Sequence, residues 1–141
     1  MILDASVAAK WVLADPSELL REPADALLRQ LLAGEIEIAV PDLFWPEMVN
    51  LLARAVRRGR TPPEAAPLAL AQLRQAGLIT HPTLPLADEA LPLAIHWQMP
   101  AYDLFYVLLA LDLDDTLITA DERLLRTLGP RFPVRWLGAS C

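Results

Sequence analysis

The sequence predicts an α/β fold in which a parallel sheet is covered by helices on both faces. Three observations predict it. Short runs rich in β-branched residues recur along the chain, stretches of helical periodicity separate them, and no repeat or linker divides the 141 residues. One domain over residues 1–141 is expected.

The elements follow in order. Ile2-Leu3 is a brief apolar strand running into a helix start at Asp4-Ala5-Ser6, and residues 7–13 continue that helix. A second helix is expected over residues 18–33, stopped by Gly34. Residues 35–40 (EIEIAV) alternate in places and read as a strand. Residues 41–46 form the turn into a helix over 47–58 that Gly59 ends. Thr61-Pro62-Pro63-Glu64 resembles a capped start for a helix reaching Gln75, with Pro67 in its first two turns. Residues 78–81 form a short strand, and 86–98 a helix that Pro92 must bend or shift. Residues 102–111 are apolar on nearly every side, so that helix should be buried. TLIT at 116–119 is a strand, 121–128 a helix ended by Gly129, and 134–136 the last strand.

Composition narrows the function. With 55% hydrophobic and 21% charged residues, the chain can build a core and is not a disordered polyelectrolyte. The single cysteine, Cys141, excludes an internal disulfide, and no Cys/His spacing suits zinc. The longest strongly apolar stretch, residues 104–111, falls short of the roughly 20 residues that span a bilayer. With no signal-like start, a cytoplasmic location is expected. The net charge of −6 argues against a broadly basic nucleic-acid surface. Four clustered carboxylates would account for most of it, and bound cations would reverse its sign locally.

Four acids fall where such a cluster would form. Ligands of an open parallel sheet bind beyond the carboxyl ends of its strands. Asp4 follows the first strand and Asp121 follows TLIT; Glu47 and Asp103 each open a helix. Gathered carboxylates repel, and hard cations such as Mg²⁺ or Mn²⁺ relieve the repulsion through oxygen ligands. Two such ions about 3.5–4 Å apart suffice for phosphodiester hydrolysis without a side-chain nucleophile. The two histidines and one lysine leave little for acid–base alternatives. Each acid alone is also explained as a cap or a helix-dipole partner, and Thr119 with Glu122 has capping-box spacing. Glu47 and Asp103 are harder to dismiss in that way, and a charge on the all-apolar helix that Asp103 opens needs a partner.

Asp4-Ala5-Ser6-Val7-Ala8 with Lys10-Trp11, Pro46-Glu47 with Asn50, Tyr102-Asp103 opening an apolar helix, and Thr119-Ala120-Asp121 together resemble the PIN-domain family. More narrowly, the chain is similar to the VapC-like toxins of toxin–antitoxin pairs, and the likeness runs along essentially its whole length. The resemblance implies a three-layer α/β/α fold and Mg²⁺- or Mn²⁺-dependent endoribonuclease activity. It also implies inhibition by a small antitoxin, and a homodimer. Carried over by position, Asp4, Glu47, Asp103 and Asp121 match the acidic quartet. Ser6 and Thr119 match its supporting hydroxyls, and Asn50 matches a polar neighbour of the glutamate. Some relatives carry another acid where this chain has Leu124, which leaves a second ion less well provided for.

On the helix carrying Glu47, a rotation of about 100° per residue brings Arg54 and Arg58 within about 20° of the glutamate. Met48, Val49, Leu52 and Val56 fall opposite. This ridge is expected either to track an RNA backbone or to be a solvated face whose arginines suit the helix C-terminus. Trp11, Trp45, Trp97 and Trp136 have the rings to stack on bases, although most tryptophans pack in a core or at its rim; Trp45, just ahead of Glu47, is the candidate to test. His81 and His96 have no partner spacing, and Lys10 lies one turn beyond Ser6. The enzyme reading competes with a catalytically weak module that acts by binding the antitoxin. That module would have no physical reason to keep four mutually repelling acids. A receiver-like signalling domain would need a lysine at a later strand end, and the chain has none there.

Overall fold

The computed structural model describes residues 1–13 and 19–139. Residue 18, the expected start of the second helix, and Cys141 lie outside the described residues. Among these, five short strands form one parallel sheet: β1 Ile2–Leu3, β2 Ala39–Pro41, β3 Ile79–His81, β4 Leu117–Thr119 and β5 Val134–Trp136. Their order is β3-β2-β1-β4-β5. The helices are α1 Ala5–Val12, α2 Arg21–Leu32, α3 Phe44–Arg57, α4 Ala65–Gln75, α5 Ala87–Trp97, α6 Ala101–Asp112 and α7 Glu122–Leu128. One group centres on α1, against which α2, α3 and α4 pack. α6, with α5 beside it, lies along β1, β2 and β4. The architecture is the expected three-layer α/β/α. None of the helices described is long and apolar enough to cross a membrane.

The centre of the sheet explains its sequence. Ile2 and Leu3 are both fully buried, because a central parallel strand meets side chains on either face and has no solvent side to alternate towards. α6 is buried along Leu104 and Tyr106–Ala110, as its all-round apolarity requires. From β1 the chain steps outward to β2 and β3, then returns to the opposite side of β1 as β4. That reversal opens a crevice between the carboxyl ends of β1 and β4, the position where open α/β sheets hold ligands.

Some boundaries differ from those expected. Of residues 35–40, only Ala39 and Val40 pair in the sheet, and Pro41 extends the strand opposite His81. β1 begins at Ile2, which pairs with Ala39, so before that residue only the Glu37 carbonyl, accepting from the Met1 amine, and the Ile38 carbonyl, accepting from the Ile79 N–H, meet a neighbouring strand among the described residues. α3 starts at Phe44, not at Glu47. Pro46 lies in its first turn, where a helix N–H has no intrahelical partner and proline loses nothing. α4 begins at Ala65, later than its proline-rich lead suggested, while α5 accommodates Pro92 internally behind a 3₁₀ turn at Leu84–Leu86. Gly34 and Gly59 follow α2 and α3 with φ of +72° and +70°, left-handed values that end a helix at little cost for glycine.

Candidate active site

Asp4 sits at the start of α1, immediately after β1, but it does not cap that helix. Its side chain is turned towards β4 and is 7% exposed. Thr119, fully buried at the end of β4, donates from Oγ1 to Asp4 Oδ2 at 2.8 Å, and Ser6 donates to the same oxygen. Each hydroxyl also accepts from the chain that follows β4. Thr119 Oγ1 takes the Asp121 N–H at 3.0 Å, and Ser6 Oγ takes the Ala120 N–H at 3.0 Å. A hydroxyl has one proton, so accepting from the backbone leaves that proton for the carboxylate. The β4–α7 turn is thereby tied to Asp4 through two relays.

Asp121 does cap its helix. Its Oδ1 accepts from the N–H groups of Arg123 (2.8 Å) and Leu124 (3.1 Å). Glu47, one turn inside α3, accepts at Oε1 from the Tyr106 hydroxyl at 2.9 Å. Asp103, in the first turn of α6, is paired through Oδ2 with Arg123 Nη2 at 2.7 Å, and that nitrogen lies 4.0 Å from Asp121 Oδ2. Each acid thus has one oxygen held by the protein. The other, in Asp4, Glu47 and Asp103, accepts no hydrogen bond among the described residues; in Asp121 it meets only the distant guanidinium. Among the described residues, no three acids, histidines or cysteines already form a ligand set.

The four acids nevertheless feel one another. Burial pushes the Asp4 carboxyl above its usual range against the hydrogen bonds of Ser6 and Thr119, and the charges of Asp103 and Asp121 push the same way. Asp103 is raised by burial, opposed by Arg123 and reinforced by Asp121. Glu47 is raised to about 7 by burial, against the Tyr106 hydrogen bond and with the charges of Asp4 and Asp103. A carboxyl whose pKa is higher folded than unfolded binds more protons in the native state. Its contribution to stability is therefore lost as pH rises from about 4.5 through about 7. Glu47→Gln removes this loss. In ion-free buffer the variant's melting temperature should gain on the parent's between pH 5 and pH 8, reaching about 3 °C once partial solvent screening is allowed for. A difference that stays constant across that range would contradict the assignment.

The remaining residues singled out from the sequence are placed differently. Asn50 is exposed on α3, one turn past Glu47. Arg54 and Arg58 are exposed further along and, with Arg60, line a cavity of about 180 Å³ with Leu13, Leu51 and Ala55. Val49 is not on the core face: it is 50% exposed, and the buried face is Phe44, Met48, Leu52 and Ala55. Trp45 packs edge-on against Phe44 and donates its ring N–H to Thr80 Oγ1 at 3.0 Å. Lys10 is buried and donates to the Leu19 carbonyl at 3.2 Å, towards α2. Leu124 is 1% exposed, so the position where some relatives carry an acid is core here.

Sequence reasoning missed two residues, Tyr106 and Arg123. Both had a signal. Tyr106 is the polar tip on an apolar helix, three residues and so one turn after Asp103. Arg123 is a cation in the first turn of α7, where the helix dipole disfavours it, and such a placement points to an acid nearby.

A family model described as PIN domain matches residues 1–129. VapC ribonuclease Mb0985 of Mycobacterium bovis and ribonuclease VapC9 of Mycobacterium tuberculosis are each 31% identical over 134 residues, covering 95% of this chain and 95% of theirs. Among solved structures, PAE2754 from Pyrobaculum aerophilum is similar in fold, with a TM-score of 0.68. It is 24% identical, with 89% of this chain and 77% of that chain covered. The chain belongs to the PIN-domain family, among its VapC-like members.

Proposed function

We propose that this protein is a divalent-metal-dependent endoribonuclease, the toxin of a toxin–antitoxin pair, working as one domain in the cytoplasm. One observation carries the reading: Asp4 and Glu47 each have one oxygen fixed by hydroxyls and Asp121 has one fixed by backbone N–H groups, the second oxygen accepting no hydrogen bond among the described residues, while Asp103 beside them meets only Arg123. Hydrogen bonds to the far oxygen of a carboxylate orient it as a metal ligand. The donor set is all oxygen, which fits Mg²⁺ or Mn²⁺, and the mutual repulsion of the acids is what such an ion relieves. Those four residues would hold it. When bound, the ion supplies Lewis acidity at the phosphodiester and acidifies water.

The chain's own residues do the positioning. Ser6 and Thr119 orient Asp4, Tyr106 orients Glu47, and the first N–H groups of α7 orient Asp121. Ser6 is not a nucleophile, because its hydroxyl donates to Asp4 and accepts from Ala120. Asn50 is a polar neighbour of Glu47 on the RNA-facing side of α3. Arg54 and Arg58 extend the site along α3, Arg54 about 10 Å beyond Glu47 and Arg58 about 6 Å further, in line for the backbone of a single strand. Changing both to Ala should weaken RNA binding and reduce the salt slope of log K by about 0.7 per lost phosphate contact. An unchanged slope in a titration from 50 to 200 mM salt removes them from the RNA path.

A protein partner is supported by an apolar groove of about 470 Å³ between α1, α2 and α4, lined by Trp11, Val12, Leu28, Leu32, Leu73 and Ala76. A small antitoxin helix is the occupant we assign to it, and a homodimer the assembly. The reading is tested by incubating antitoxin-free protein with total RNA and Mg²⁺ or Mn²⁺, with EDTA as control. Cleavage that EDTA abolishes is the expected result. Intact RNA under both ions would favour a module that acts only by binding.

A further inference from the structure

We propose that Arg123 is a built-in competitor of the divalent ion: in the ion-free protein its guanidinium neutralises Asp103 and Asp121, and it must let go of Asp103 for the ion to be held. The inference deepens the ribonuclease reading and rests on it. A single nitrogen, Nη2, reaches both acids, at 2.7 Å from Asp103 Oδ2 and 4.0 Å from Asp121 Oδ2. It therefore reaches both of the carboxylates that a shared cation would use.

Local structure does not explain why an arginine is there. Arg123 is the second residue of α7, and a cation in a helix's first turn opposes the dipole. The N–H groups of that turn are already capped by Asp121 Oδ1, so the helix gains nothing from the side chain. The acids hold it instead. The pair is also built to open. Asp103 is 21% exposed and Arg123 56%, so the guanidinium reaches inward from solvent and can leave without disturbing the core. A divalent ion beside Asp103 would face the guanidinium at a few ångströms, and both cations draw on the same two carboxylates. Occupancy by one therefore lowers occupancy by the other, and the coupling is reciprocal.

Calorimetric titration of Mn²⁺ into the full chain and into Arg123→Gln and Arg123→Lys variants tests this. A half-exposed ion pair is worth about 0.2–1 kcal/mol, so Arg123→Gln should bind Mn²⁺ about 1.4- to 5-fold more tightly at low salt. Arg123→Lys, which keeps the charge, should stay near the parent affinity. The gain should shrink as added NaCl screens the pair. Equal or weaker binding by Arg123→Gln overturns the proposal, since Arg123 would then be neutral or would help to orient Asp103. If parent and variants alike bind no Mn²⁺, the metal-dependent reading itself fails, and this inference falls with it.

Discussion

Asp4→Asn is expected to lower RNA cleavage by at least about 10²–10³-fold, the scale seen when a preorganised electrostatic group is removed, while raising the stability of the ion-free protein. Both effects have one cause. Asp4 is the most buried of the four acids and is pushed up by burial and by the charges of Asp103 and Asp121. The amide oxygen still accepts from Ser6 and Thr119, so the packing survives, but the buried charge is gone. Relief of such a functional conflict is worth about 0.5–2 kcal/mol. RNA cleavage assays and thermal melts in EDTA measure the two halves. Parental cleavage rates, or a melting temperature below the parent's, would refute the role given to Asp4.

The second large effect concerns Thr119. Thr119→Val keeps the shape of a fully buried side chain but deletes the hydroxyl that joins the Asp121 N–H to Asp4. The N–H is left without its partner, at a cost of about 1–3 kcal/mol, or a fall of roughly 3–10 °C in melting temperature. Asp4 also loses one of its two orienting donors, and loss of an outer-shell partner lowers metal affinity or activity about 10–100-fold. Thr119→Ser restores the donor and should recover most of both. If the valine variant melts and cleaves like the parent, the relay is not what holds the site.

These two positions were the most legible in the sequence, for a physical reason. Asp4 and Thr119 end strands whose apolar runs are unmistakable, and the sheet's topology brings adjacent strand ends together. Glu47 was found but put at the first residue of its helix. Proline there suggested a start, whereas the buried Phe44 extends the helix backward and Glu47 N–H closes the opening bond to the Leu43 carbonyl at 3.2 Å. EIEIAV was overextended because alternation marks a strand only where a partner exists. Tyr106 and Arg123 each left a local hint that a partner exists, but which acid it is depends on how α6 meets α3 and α7, which is a matter of tertiary packing. The capping explanation was right for Asp121 and wrong for Asp4, and only the direction of the side chain separates the two.

The pairing of β1 with β4 has a consequence for biosynthesis. Asp4 and the hydroxyl that holds it are 115 positions apart, so a ribosome has made most of the polypeptide before the two can meet. A nascent chain of this protein carries its first carboxylate from the outset yet lacks the strand that aims it. The site is therefore assembled only when synthesis is nearly finished.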